Sequence, residues 1–226
     1  MKILLIADTE EKSLRDRWTE DTAKRLADVG LVLSAGDLRP DYLEFLVTML
    51  NVPLVYVRGN HDGYYDERPP EGCENADGKI VEAECYIGSE KQNIRILGLG
   101  GSMRYKSGAA DMYTEREMQA RVRKVERIIR KRRLAARLSG GTENTGMPDF
   151  DILLTHAPCR GYGDMDDLPH TGFECFNELL NKYSPQLHCY GHVHQEYGRI
   201  DRRLMHPSGT LLINGSGYQI IDFVTP

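Results

Sequence analysis

Val55-Tyr56-Val57-Arg58-Gly59-Asn60-His61-Asp62 is the stretch on which both the fold and the chemistry turn. Its β-branched and aromatic residues read as a strand. Glycine then allows a sharp turn that a side chain would block, and Asn, His and Asp follow at once. Open α/β folds build their sites from polar residues delivered at the carboxyl ends of strands. The three residues offer an amide oxygen, an imidazole and a carboxylate in a small volume, a set suited to a divalent cation and a proton donor. A loop whose Asn and Asp merely cap the backbone would read the same way, so the companions elsewhere decide.

Towards the N-terminus, residues 2–7 form a continuous apolar strand that ends in Asp8-Thr9-Glu10-Glu11. Residues 19–28 have helical spacing, and residues 31–34 read as a second buried strand closing on Gly36-Asp37. Residues 42–50 read as a helix with Leu43, Leu46, Val47 and Leu50 on one side. The strand at 54–57 is the third. Strand–helix repetition with polar residues at each strand's end predicts a largely parallel sheet.

Towards the C-terminus, residues 64–78 are rich in Gly, Pro and acid and read as a loop over the site, followed by strands at 79–86 and 93–99. Residues 114–138 read as one long amphipathic helix, with Met118, Val122, Val125 and Ile129 at helical spacing and ten Lys or Arg between Arg116 and Arg137. After a loop at 140–148, a strand at 151–155 delivers His156. A helix at 173–182 precedes a strand at 187–190 that delivers Gly191-His192-Val193-His194. Residues 199–201 are expected to turn a hairpin, and residues 210–213 and 218–223 to close the fold as antiparallel strands.

A chain of 226 residues, 40% hydrophobic and 28% charged, suits one globular domain spanning residues 1–226. The formal net charge of -5 disfavours nucleic acid as the main partner, and the basic helix has no interleaved aromatics for stacking. No apolar run approaches membrane-spanning length and no signal-peptide pattern is present, so the expectation is a cytoplasmic protein without a membrane partner. Five scattered cysteines with no CxxC argue against a disulfide framework and against a thiolate zinc site.

The strand ends together carry Asp8-Thr9-Glu10, Gly36-Asp37, Gly59-Asn60-His61-Asp62, Thr155-His156 and Gly191-His192-Val193-His194. In this order they resemble the calcineurin-like metallophosphoesterase family, whose pattern is D-x-H, G-D, G-N-H-D/E, a lone H and G-H-x-H. The stretch Leu153-Leu154-Thr155-His156-Ala157-Pro158 is similar to the small single-domain phosphodiesterases within that family. The resemblance implies an α/β fold, a four-layer α/β/β/α sandwich with two divalent metal ions at the strand ends. It implies a metal-dependent phosphoesterase, more a diesterase than a monoesterase, acting on a small phosphate-ester substrate. By the same resemblance Asp37 bridges the metals, and Asp8 and His194 hold one of them together with whatever replaces the D-x-H histidine. Asn60, His156 and His192 hold the other. His61 faces the substrate's phosphate and leaving group as a catalyst, with Asp62 orienting it.

The chain departs from the pattern at one point, where the first histidine is Glu10. A carboxylate at that position would favour Mn²⁺ or Mg²⁺ over Fe or Zn, and Mn²⁺ is the first expectation. On that reading Glu10→His would move the metal preference away from Mn²⁺. Alternatively that metal binds weakly, and the chain works with one metal or as a non-catalytic binding module. In a third reading Glu10 points away and Glu11 or a water stands in. Substrate contacts are expected from Asn60, His61, Arg58 just before Gly59, and His170 in the loop after His156. His188, inside a strand, reads as structural.

Overall fold

The computed structural model describes residues 1–87, 90–138, 149–194, 197 and 201–224. In chain order the strands and helices begin with β1 (Lys2–Ala7), α1 (Glu20–Arg25), β2 (Val29–Ser34), α2 (Pro40–Leu50) and β3 (Leu54–Tyr56). They continue with β4 (Glu74–Asn75), β5 (Ile80–Ile87), β6 (Glu90–Leu99), β7 (Ser102–Met103), β8 (Met112–Tyr113), α3 (Glu115–Leu138) and β9 (Ile152–Thr155). The last are α4 (Glu174–Tyr183), β10 (Leu187–Tyr190), β11 (Arg203–Met205), β12 (Leu211–Asn214) and β13 (Gly217–Asp222).

Local chemistry sets the helix boundaries near the site. Thr19 caps α1 by accepting a hydrogen bond from the Thr22 amide at 3.2 Å, with Glu20 and Asp21 in the first turn. Pro40 opens α2 at a position that needs no amide, and Asn51 closes it in the left-handed conformation.

The strands form two large sheets, ordered β13-β1-β2-β3-β4 and β11-β12-β10-β9-β6-β5. In the first, β1, β2, β3 and β4 run parallel and β13 is antiparallel to β1. In the second, β6, β9, β10 and β12 run parallel, flanked by antiparallel β5 and β11. Alternate residues of each strand face opposite ways, which divides the buried side chains into three clusters. Ile3, Leu5, Leu33 and Val55 of the first sheet pack with Ile96, Ile152, Leu154 and Ile213 of the second. On the other face of the first sheet, Leu4, Ile6, Val32 and Tyr56 pack against Tyr42, Leu43 and Leu46 of α2. On the other face of the second, Leu97, Leu153 and Leu212 meet Met118, Val122 and Val125 of α3 and Phe176 and Leu180 of α4. Helix, sheet, sheet, helix is the order of apolar contacts that the expected sandwich requires.

Two sequence expectations change. Residues 210–213 do not close the fold as an antiparallel strand beside 218–223. β12 lies parallel to β10 in the second sheet, while β13 completes the first beside β1. The antiparallel partner of β12 is β11, three residues and too short to show an alternating pattern. The expected loop at 64–78 contains a 3₁₀ turn at Gly63–Asp66 and the short strand β4. The expected loop at 140–148 and most of the turn at 199–201 lie outside the described residues.

His188 is structural, as its place in a strand suggested, and its protonation is fixed by its partners. The Thr155 hydroxyl donates to the Ala157 carbonyl at 2.6 Å, so its 2.8 Å contact with His188 Nε2 is one in which the imidazole donates. Nδ1, 3.7 Å from the Cys159 sulfur, is then the ring's acceptor. Burial, with His206 nearby, pushes the imidazole down to about 3, whereas an unfolded histidine titrates near ~6.5. Between those values the unfolded chain carries the extra proton, so stability is complete above about pH 6.5 and is lost as pH falls. Wild type is expected to lose about 2 kcal/mol more than His188→Gln between pH 7 and 5, since the glutamine cannot titrate. Urea unfolding at the two pH values measures the difference, and equal slopes would contradict it.

Candidate metal centre

Three non-glycine residues at strand ends adopt left-handed backbone: Asp8 at φ 63, Asp37 at φ 58 and His192 at φ 69. That conformation is costly for residues with a Cβ and persists only where the surroundings impose it. The surroundings here are two crossing loops. Gly36 (φ 96) lies against the Gly59 backbone, and a Cβ on Gly59 would collide with the Asp37 carboxylate. Only glycines let the loop after β2 pass this closely under the loop after β3.

Asp37 is held from several sides. Its Oδ1 accepts from the His61 amide at 2.8 Å, and its Oδ2 is 3.4 Å from His156 Nε2. Burial pushes its carboxyl up, but His156 and the His61 amide outweigh burial and hold it at about 2. Asp62 is buried, and its Oδ2 accepts from the Gly59 and Asp37 amides at 2.7 and 2.8 Å. Its Oδ1 lies 3.3 Å from the Tyr64 hydroxyl. Burial and then the Asp37 charge push Asp62 up to about 6. Asp62 thus meets the backbone amides of the two loops and the Tyr64 hydroxyl, on either side of the segment that carries His61.

His156 donates from Nδ1 to the Ala35 carbonyl at 2.7 Å. That bond turns Nε2 towards Asn60 Oδ1 at 3.0 Å and Asp37 Oδ2 at 3.4 Å. Burial alone would depress this imidazole, but Asp37 and then Asp8 outweigh it and push it up to about 9. Asn60 Oδ1 and Asp37 Oδ2 both face His156 Nε2, a position that holds a proton while the ring is charged and suits a cation in its place. Ligand atoms of Asp8, Asp37 and His156 lie within 4.8 Å of one another.

Asp8 follows β1, in the same sheet as the strands that deliver Asp37 and Asn60, and reaches across to the sheet of His156 and His192. Its buried carboxylate accepts from the His192 amide at 2.9 and 3.0 Å and lies 3.8 Å from His194 Nε2. Burial raises its pKa against the opposing pull of His156 and His194. His192 donates from Nε2 to the Pro169 carbonyl at 2.8 Å, leaving Nδ1 as the acceptor. Burial, then His156, pushes that ring down to about 3, so it is neutral, the form that ligates metals.

A cavity of about 520 Å³ opens onto this cluster. Asp8, Asp37, Asn60, His61, His192 and His194 line it, and so does His170, whose Nδ1 is 2.7 Å from Asp167 Oδ2. Sequence reasoning missed Tyr105, Pro169 and Tyr197, which complete the wall. The Asn60 amide reaches the Tyr105 hydroxyl at 3.4 Å, and the Tyr197 ring lies 4.5 Å from that of His170. Gly100-Gly101 at the end of β6 was the available signal for Tyr105; nothing in the sequence marked Tyr197. A larger recess of about 700 Å³, bordered by Lys2, Asp28 and Pro53 at the starts of the parallel strands, has no histidine in its lining.

Two expected residues lie elsewhere. Glu10 does not line the cavity: its Oε1 accepts from the Arg39 amide at 3.2 Å and its Oε2 is 3.5 Å from Arg15 Nη2. The Arg15 guanidinium and the Arg39 backbone amide hold this carboxylate outside the cavity lining, and the oxygen-rich argument for Mn²⁺ loses its basis. Glu11 is directed towards Gly217 and is not in the lining either. Arg58 also turns away, pairing with Asp66 at 2.7 Å and Asp111 at 3.9 Å beside the Tyr65 ring. Its expected contact with substrate is corrected accordingly.

Glu10→Gln is expected to leave the metal content of the purified protein unchanged and to cost at most about 1 kcal/mol in urea unfolding. Loss of metal in elemental analysis of that variant would put Glu10 back among the ligands.

A family model for calcineurin-like phosphoesterases matches residues 1–196. Two UPF0046 proteins of Caenorhabditis elegans are 36% identical over 55 residues and 40% identical over 50, segments that make up 22% and 21% of this chain. Those segments span only 20% and 13% of the relatives' own lengths. The crystal structure of TT1561 of Thermus thermophilus aligns with a TM-score of 0.55 at 14% identity, covering 96% of this chain and 89% of that one. Another crystal structure aligns at 0.60 and 13% identity, over 98% and 94% of the two chains. At such identities the likeness speaks for the fold alone. The family match, which takes in every strand end that lines the cavity, carries the assignment: the chain belongs to the calcineurin-like phosphoesterase family.

Proposed function

We propose that this protein is a divalent-metal-dependent hydrolase of phosphoric esters with a preference for diesters. The observation that carries the reading is the convergence of Asn60 Oδ1, Asp37 Oδ2 and His156 Nε2 beside Asp8 and below the exposed His61. Two oxygens converging on an imidazole nitrogen fit a cation in place of the ring's proton. Asp37, central among them, would bridge two ions; Asp8 and His194 would hold one, and Asn60, His156 and His192 the other. Bound divalent ions would supply Lewis acidity at the phosphoryl oxygens and lower the pKa of water.

The chain's own residues do the rest. The His61 amide is tied to Asp37 and its side chain is exposed in the cavity lining, where it can give a proton to the departing oxygen. Asp62 holds the two loops in register through the Gly59 and Asp37 amides. His170, tied through Nδ1 to Asp167, stands in the cavity wall, where it can shape the substrate's fit. Among the described residues no Lys or Arg lines the cavity. A dianionic monoester would gain from such a cation, whereas a monoanionic diester needs none, which supports the diester preference. The withdrawal of Glu10 favours a second reading, in which one ion is held and nothing is turned over.

Elemental analysis and turnover of bis(p-nitrophenyl) phosphate and p-nitrophenyl phosphate separate the readings. Two ions per chain with the diester hydrolysed faster supports the enzyme; one ion without turnover supports the binding module. Asp37→Asn is expected to lose at least one ion and all turnover. His61→Ala should keep its metal while turnover of diesters with poor leaving groups falls about 10²–10⁴-fold. Nitrophenyl esters, whose leaving group needs little protonation, should suffer less. Metal loss in His61→Ala would show that His61 is a ligand instead.

A further inference from the structure

Helix α3 carries a second feature, independent of the cavity. Met118, Val122, Val125 and Ile129 bury its inner face. At 3.6 residues per turn the opposite face holds Arg116, Arg123, Arg127, Arg130 and Lys131, with Lys124 at its margin, and all six are exposed. No carboxylate stands in this stripe. Glu117 pairs with Arg104, Glu126 with Lys182, and Glu115 with the amides that open α4, all on the flanks. Glu178 of α4 is engaged by Gln119. Arg121, Arg132 and Arg133 are likewise tied sideways, to Asp77, Glu82 and Asp149. Within the stripe Arg130 reaches Glu126 at 3.9 Å. Among the described residues, Arg116, Arg123, Lys124, Arg127 and Lys131 pair with no carboxylate. Leu134 and Leu138 continue the same stripe and are 56% and 79% exposed.

We infer that this stripe docks the protein on an anionic lipid surface. Outside residues 115–138 the chain has 19 Lys or Arg against 31 Asp or Glu, so the chain's net negative charge lies off this helix, and this face is suited to a negative surface. From Arg116 to Leu138 the stripe runs straight for about 33 Å, the shape that lies flat on a membrane. Each cation near such a surface raises partitioning about fivefold, and the two exposed leucines at its end suit the interface below the headgroups. No helix among the described residues is long and apolar enough to cross a membrane, and peripheral adsorption needs none. Duplex nucleic acid fits less well. The major groove, about 12 Å wide, admits little more than one α-helix, and α4 packs along one flank of α3 through the Gln119–Glu178 and Glu126–Lys182 contacts. Leu134 and Leu138 would also face phosphates with nothing gained.

The test is co-sedimentation of the whole chain with vesicles of phosphatidylcholine alone or with about a third phosphatidylserine, at ~0.05 and ~0.5 M salt. Binding is expected only to the acidic vesicles and only at the lower salt. The triple variant Arg123→Gln, Arg127→Gln, Lys131→Gln should partition about 100-fold less. Leu134→Ser with Leu138→Ser should also weaken binding. Circular dichroism and an unchanged unfolding midpoint verify that each variant is folded, and glutamine keeps the helix propensity. Equal binding to neutral vesicles, no binding at low salt, or a triple variant that binds like wild type would each overturn the inference. Tighter binding to duplex DNA than to acidic vesicles, lost in the same triple variant, would overturn it in favour of a nucleic-acid surface.

Discussion

The crossing of the loops after β2 and β3, locked by the Asp37 carboxylate, is the constraint on which the rest of the site depends. Asp37 sits in left-handed backbone over a glycine that has no room for a Cβ. Its Oδ1 fixes the His61 amide, its own amide is fixed by Asp62, and its Oδ2 faces His156 from the other sheet. One carboxylate thus sets the relative positions of three functional side chains. Moving it would release both loops together.

Charge is the second constraint. Asp8, Asp37 and Asp62 are gathered in a region of low solvent access, where unpaired anions are costly. Their pKa values spread apart accordingly, with Asp37 held down and Asp8 and Asp62 pushed up. The histidines divide in the same way: His156 is drawn towards the charged form and His192 towards the neutral one. A divalent cation, of the sort this family generally binds, relieves the cluster more completely than a proton on His156. The bond from His156 to Ala35 keeps Nε2 turned to Asp37 and Asn60, and the bond from His192 to Pro169 leaves Nδ1 as that ring's acceptor.

Outward pairing explains why two expected residues are absent from the cavity. Glu10 and Arg58 each stand next to a strand end, yet each finds a partner outward: the Arg15 guanidinium and the Arg39 amide for one, Asp66 and Asp111 for the other. Partly exposed ion pairs of this kind are individually weak. They suffice here because turning inward would place Glu10 beside Asp8 and Asp37, against like charge.

The sequence by itself determined the strands that lead into the site and the order of their polar ends. A buried parallel strand is a continuous apolar run, legible without partners, and β1, β2, β3, β9 and β10 all read that way. Gly36, Gly59 and Gly191 marked the turns, and the family pattern followed from what came after them. Tertiary structure alone decided everything that depends on a neighbour distant in the chain. It turned Glu10 and Arg58 outward and gave the Asp62 carboxylate to two backbone amides. It placed β12 parallel to β10 and brought Tyr105 and Tyr197 to the cavity wall. The reason is physical: hydrophobic periodicity is a property of a segment, whereas the direction of a charged side chain is set by competing charges that only folding brings within reach.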